Sequence, residues 1–381
     1  MLRFLDAGET HGPCLTAIIE GMPSGVKIDI DKINHDLSRR QAGYGRGGRM
    51  KIETDKCEIL SGVRAGVTLG SPITLQIKNK DFENWKDIMG AFSESNERKV
   101  TSPRPGHADL VGGMKYQHKD LRNVLERASA RETAIRVAVG SLVGQVLDSF
   151  GIEFLSRVAR IGEISDIVSD FDKAFYERVY SSPVGFGDKN QEEKAKEYID
   201  SIKDKGLTVG GVVETKVLGL PEGLGSYVHY DRKLDAAIAS SVMSIQAIKG
   251  VEFGMGFGVG SVTGDMVQDE IYYDGLYKRS TNNLGGIEGG MTNGEPLIVR
   301  AAMKPIPTQY TPLNTVNIES KECVKASVER SDVCAVPACS VVVESAVKFE
   351  ITKAFLEKFS GDSIDDIKVS FKNYMERIKN Y

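Results

Sequence analysis

The sequence predicts an α+β protein, because strand-like and helix-like stretches alternate without the regular strand–helix–strand rhythm of a doubly wound sheet. A short β-rich run spans Leu15 to Glu20, while apolar residues recur at helical spacing after Asp31, Ser129 and Asp231 and again near the C-terminus. The 381 residues suffice for a large core. Residues 1–381 are read as one domain, with a charge-rich peripheral insertion over about 163–205 and a terminal helix over about 362–381.

Taken in order, Leu15–Glu20 leads into the turn Gly21-Met22-Pro23-Ser24-Gly25 and then a helix capped by Asp31, with Ile33 and Leu37 inward. Ser129-Ala130-Arg131-Glu132 has the spacing of a capping box, and Ile135, Leu142, Val146 and Phe150 follow at helical spacing. Gly140 and Gly144 on that helix would admit a close neighbour. The turn returns as Gly219-Leu220-Pro221-Glu222-Gly223, followed by Asp231 opening a helix with Leu234, Ile238, Val242 and Ile245 inward. Two such turn-and-helix pairs are either an internal duplication or a coincidence of a glycine-rich chain, and both readings stand. Val251 to Ser261 alternates glycine with larger residues and predicts a strand with one bare face, for a helix or a flat ligand. Ile364, Ile367, Phe371, Tyr374 and Ile378 form a stripe for docking on the body or on another subunit.

With 41% hydrophobic and 27% charged residues the composition is that of a globular protein. The net charge of −4 supplies no field to draw the chain to nucleic acid or an anionic membrane. No stretch is apolar enough to span a bilayer, and Asp6 interrupts the N-terminus too early for a secretion signal. Five scattered cysteines without a Cys-x-x-Cys pair fit neither a disulfide framework nor a zinc site, and predict a cytoplasmic protein.

Anion binding must therefore come from local clusters. Arg39-Arg40 and Arg46 and Arg49 flank a flexible glycine-rich stretch whose guanidiniums match phosphate and carboxylate oxygens; a solvated basic loop or an RNA-binding segment are the other readings. His11 sits between Gly8 and Gly12, and a loop histidine is most often a plain hydrogen-bonding residue. Arg104 and His107 lie in a loop stiffened by Pro103 and Pro105, which suits preorganisation. Arg127 and Arg131 flank the start of a helix, where free N–H groups favour anions. The glycines of 285–294 and Lys304 after them fit a flat ligand passing over bare backbone, ordinary tight turns almost as well, and match neither nucleotide fingerprint. Arg330 and Asp332 precede the last long helix, where a surface ion pair is the bland reading.

Together, GETHG, RRQAGYGRGGRM, RPGHAD, ERASARETA, SIQAIKGVEFG, NNLGGIEGGMTNG and MKPIPTQY occur in the order and at the intervals of one family. Along essentially its whole length the chain resembles chorismate synthase. The resemblance implies a β-α-β sandwich with helices between antiparallel sheets, assembled as a homotetramer. It implies a lyase that converts 5-enolpyruvylshikimate 3-phosphate to chorismate and phosphate by 1,4-elimination, using reduced FMN. NADPH as the flavin's reductant, in a bifunctional form of the enzyme, stays open.

By position, the resemblance implies that Arg40, Arg46, Arg49, Arg104, Arg131 and Arg330 hold the substrate's anions. His11 would be the acid at the departing phosphate, His107 would stand beside the flavin, and Asp332 would assist proton removal. Arg127, Ala128, Ser129, Gln246, Ala247, Gly289, Lys304, Pro305, Ile306, Pro307, Thr308 and Arg330 correspond to the FMN contacts. Three departures occur: Thr10 in place of serine, Ala128 in place of a frequent serine, and Ser331 and Val333 in place of histidine and proline.

Overall fold

The computed structural model describes residues 1–47, 54–167, 173–327 and 332–381. In the first half β1 (Arg3–Ala7) and β2 (Cys14–Glu20) form a hairpin, and α1 (Ile30–Gln41) follows. β3 (Cys57–Ile59), the small hairpin of β4 (Val63–Arg64) and β5 (Val67–Thr68), and β6 (Ile73–Lys78) complete an antiparallel sheet of order β1-β2-β6-β3, the small hairpin standing apart. Leu15, Ala17 and Ile19 on β2 and Ile73, Leu75 and Ile77 on β6 alternate inward, as a sheet with one covered face requires. Three short helices follow, α2 (Lys86–Met89), α3 (Asp109–Tyr116) and α4 (Arg122–Ala128), and then α5 (Thr133–Asp148).

The second half opens with β7 (Glu153–Ile161) and β8 (Ile164–Ser165), followed by α6 (Lys173–Ser181) and α7 (Lys189–Asp204). On these two helices Phe175, Tyr176 and Val179 form a small cluster of their own, while Ala195 and Ile199 join the main core. After β9 (Gly211–Leu218), α8 (Leu234–Met243) and β10 (Ile248–Phe253) come α9 (Gly264–Val267) and the hairpins β11 (Ile271–Tyr273)–β12 (Tyr277–Arg279) and β13 (Ile287–Glu288)–β14 (Met291–Thr292). β15 (Leu297–Met303) completes a five-stranded antiparallel sheet of order β10-β15-β9-β7-β8. A last hairpin, β16 (Asn314–Val316) with β17 (Cys323–Lys325), precedes α10 (Val336–Lys358) and α11 (Ile364–Lys379).

The helices lie between the two sheets: α5 packs on β1, β2 and β6, α10 packs on β7, β9 and β15, and α5 and α10 pack on each other. Both are buried nearly all round, which is why neither shows a clean amphipathic stripe. They pack tightly at Gly140, where a Cβ would be driven into the Ser345 carbonyl. α11 lays Ile364, Ile367, Phe371 and Tyr374 on the body, with Phe371 against Phe355 and Phe359.

The two halves repeat one topology. Thr68 Oγ1 donates to the Pro23 carbonyl (2.6 Å) and accepts from Val26 N–H (2.9 Å), tying the β4–β5 hairpin to the first Gly-x-Pro-x-Gly turn. Thr292 Oγ1 does the same to Pro221 (2.6 Å) and Leu224 (2.8 Å), tying the β13–β14 hairpin to the second. All four turn glycines adopt φ between 76° and 90°, which a side chain resists.

Four local expectations are corrected. The α1 cap is Asp29, whose side chain accepts from Asp31 N–H; Asp31 lies in the first turn, where its charge suits the helix dipole. Asp231 does not cap α8, which starts three residues later after Lys233 without a side-chain cap. Ser129 accepts from Arg131 N–H, but the Glu132 carboxylate accepts from Gln246 instead of completing the box. The alternating stretch leaves the strand at Phe253, because Gly254 and Gly256 take left-handed φ of 54° and 56°; residues 256–261 form a 3-10 turn. Among the described residues no helix is long and apolar enough to cross a membrane.

Candidate active site

The loop between β1 and β2 is fastened to α4 through one residue. Thr10 donates from both its N–H (3.1 Å) and its Oγ1 (2.9 Å) to the Glu126 backbone carbonyl. The next residue, His11, donates its N–H to Glu126 Oε2 (2.8 Å) and sets its Nδ1 2.8 Å from Oε1. The imidazole stacks on Trp85 with centroids 3.8 Å apart, and Arg98 and Arg122 also lie over the indole. Burial opposes ionisation of Glu126, but the hydrogen bonds and charge of His11, joined by Arg122, hold its carboxyl below the usual range.

Arg40, in the last turn of α1, is buried with Nε on Thr133 Oγ1 and Nη2 on the Ala130 carbonyl, both at 2.9 Å. Arg131 donates Nε to Asn79 (3.0 Å) and Nη1 to both oxygens of Asp55 (2.7 and 2.8 Å). Asp55 also stands 3.6 Å from Arg40, so one buried carboxylate serves two buried guanidiniums. Burial presses Arg40 down to about 10 against the pull of Asp55, and the neighbouring Arg131 and Arg46 add to the lowering.

Arg46 faces Asp332 at 3.3 Å, and Gly47 N–H donates to the same carboxylate at 2.6 Å. Arg49 and Arg330 lie outside the described residues. In the stiff loop, Arg104 makes a two-pronged pair with buried Asp109 (2.8 and 3.0 Å), and Gly106 turns the chain at φ 79°. His107 follows, its Nδ1 buried without a hydrogen-bond partner. Burial, then the charges of Arg104 and Lys304, push His107 down to about 4, against a smaller pull from Asp109. Lys304 itself donates to the Gly106 carbonyl at 2.5 Å.

These groups line one cavity of about 580 Å³, within the range of sites for small molecules and cofactors. His11, Arg40, Arg46, Arg104, His107, Arg131 and Asp332 are all in its wall. A model of the chorismate synthase family matches residues 2–356. The chain belongs to that family. It is 53% identical to the chorismate synthase of Geotalea uraniireducens and 54% identical to that of Enterococcus faecalis, with all of each chain covered. Among solved structures it is similar to a crystal structure of chorismate synthase, with a TM-score of 0.80 and 41% identity over 100% of this chain and 99% of that one. The chain is thus a lyase of aromatic biosynthesis, on an α+β fold matching that of a chorismate synthase.

Of the positions that the chorismate synthase resemblance offers for the flavin, Ala128, Ser129, Gln246, Ala247, Lys304, Ile306 and Pro307 line the cavity. Thr308 is buried beside it, in a small pocket shared with Arg104 and Pro307. Pro305 lies outside the lining. Arg127 is also outside, because its guanidinium is drawn to Asp6 (3.0 Å) and the Gly8 carbonyl. Gly289 sits on the β13–β14 hairpin near Tyr227, away from this wall. The neighbouring glycines are accounted for by tight turns: Cβ atoms at Gly285 and Gly290 would collide with Gly254 and Lys233. Sequence reading missed Asp55, Asn79, Trp85 and Glu126, and the apolar wall of Met243, Ile245, Ile248, Cys339 and Val342. Glu126 opens the ERASARETA segment, so its position was visible; its role required the fold.

Proposed function

We propose that the cavity binds 5-enolpyruvylshikimate 3-phosphate beside reduced FMN and carries out the 1,4-elimination that yields chorismate and phosphate. The observation carrying this reading is the buried Arg40–Asp55–Arg131 group with His11 and Arg46 in the same wall. A ligand with a phosphate and two carboxylates is matched in charge and shape by several guanidiniums gathered in one wall. In this reading Arg40, Arg46, Arg104 and Arg131 orient the anions, and His11 delivers a proton to the departing phosphate oxygen.

The wall also fits a flavin. The buried, unpartnered His107 Nδ1 and Gln246 Oε1 offer ring contacts, and Lys304 offers a charge for the cofactor's phosphate, beside the apolar Ile306 and Pro307. Reduced FMN, when bound, supplies electron density as the carbon–oxygen bond weakens. His107, held neutral, can hydrogen-bond to the ring without adding charge, and Asp332 keeps Arg46 and the Gly47 backbone in place. A homotetramer belongs to the same reading and is supported by exposed Ile271, Tyr273, Leu276 and Tyr277 at the β11–β12 hairpin; sedimentation equilibrium tests it.

The purified protein, incubated without oxygen with reduced FMN and the substrate, is expected to release phosphate and chorismate. Folded protein that forms no chorismate overturns the reading. His11→Ala and His107→Ala are each expected to lower turnover at least about tenfold in protein that circular dichroism shows to be folded. NADPH consumption by the protein with FMN alone would add a reductase activity.

A further inference from the structure

The two cavity histidines have opposite surroundings. His107 has Arg104 and Lys304 nearby and an unpartnered Nδ1, and the carboxylate that acts on it, Asp109, is engaged by Arg104. His11 has a carboxylate of its own: Glu126 is almost fully buried, takes the His11 backbone N–H on one oxygen and meets Nδ1 with the other. The Trp85 ring, stacked within 21° of parallel, fixes the plane of the imidazole, and Thr10 fastens the loop to the backbone carbonyl of Glu126.

We infer that Glu126 is a positioning residue that locks His11 in the Nδ1-protonated form, leaving Nε2 as the nitrogen that exchanges a proton with a ligand in the cavity. An ionised carboxylate only accepts hydrogen bonds, so a ring nitrogen 2.8 Å away must carry the hydrogen. Arg122, donating to Oε1 at 3.2 Å, further favours the ionised form of Glu126. The ring therefore has one variable site. As the imidazolium it gives the Nε2 proton to a departing phosphate oxygen, becomes the neutral Nδ1–H ring, and regains a proton from water. Without the lock, a neutral imidazole would put its hydrogen on either nitrogen, and part of the population would present the wrong one. The inference rests on the assignment of His11 to the reacting ligand, but the lock can be read without any turnover.

The test is nitrogen-15 spectroscopy of histidine-labelled protein, with the His11 signals identified by their loss in His11→Asn. The wild type is expected to show the Nδ1–H pattern for neutral His11, and Glu126→Gln, whose amide oxygen can still accept, to keep most of it. Glu126→Ala is expected to shift His11 toward the Nε2–H pattern and to lower kcat at least about tenfold, with KM changed less than about threefold. An Nε2–H pattern in the wild type, or an unchanged Nδ1–H pattern in a folded Glu126→Ala, overturns the lock. If Glu126→Ala does not fold, the wild-type spectrum decides alone. A shifted pattern with undiminished turnover upholds the lock and removes His11 from the chemistry.

Discussion

Arg131 and Asp55 form a buried ion pair in which one guanidinium nitrogen meets both carboxylate oxygens, at 2.7 and 2.8 Å, with Arg40 3.6 Å from the same carboxylate. Removing one partner of such a group leaves charge buried without compensation. Asp55→Asn is expected to lose about 3 kcal/mol of stability, read as a lower urea midpoint. Inorganic phosphate should raise that midpoint more in the variant than in the wild type, because an anion can replace the missing carboxylate. Equal phosphate effects in both proteins would show that the arginine pair does not receive anions.

His107 supplies a pH dependence. Its native value is pushed from 6.5 to about 4, by burial first and then by Arg104 and Lys304. As pH falls from 6.5 toward 4 the unfolded chain binds a proton that the folded one refuses, so stability is lost across that window. His107→Asn should lose less stability than the wild type over the same interval, measured by urea midpoints at matched pH. Parallel losses would remove His107 as the cause.

The two glycines of α5 should respond differently. Gly140→Ala forces a methyl into the Ser345 backbone and is expected to cost about 1–3 kcal/mol. At Gly144 the nearest atom to a new Cβ is Lys348 Cδ, 3.3 Å away on a flexible side chain, and the helix gains from alanine's better propensity. Gly144→Ala should therefore be neutral or stabilising by up to about 1 kcal/mol. Thermal denaturation of the two variants separates them, and equal melting points would contradict the close approach.

Glu344 lies at the centre of a second charged group, between α1 and α10. Burial opposes its ionisation, but Arg39 (3.1 Å) and Lys348 (2.6 Å) hold its carboxyl far below the usual range, and Ser156 also donates to it. Glu344→Ala takes away the main carboxylate partner of the partly buried Arg39 and Lys348 and is expected to cost about 3–5 kcal/mol by urea denaturation. A loss below about 1 kcal/mol would mean that Asp36 alone compensates both.

By itself the sequence determined the mixed α+β class, both proline-centred turns, the inward stripe Leu234–Ile238–Val242 of α8 and the stiff loop around His107. These are local features: they depend on spacing, ring constraints and glycine's freedom within a few residues. Alternating glycines misled over 254–261, because a residue without a side chain cannot say which face it presents, and left-handed φ ended the strand there. Only the tertiary structure decided the pairings that define the site. Asp55 meets Arg131 across 76 positions, and Glu126 meets His11 across 115. A single Asp or Glu in a polar stretch carries no local sign of such a partner, since burial and charge complementarity arise only when distant elements close on one cavity.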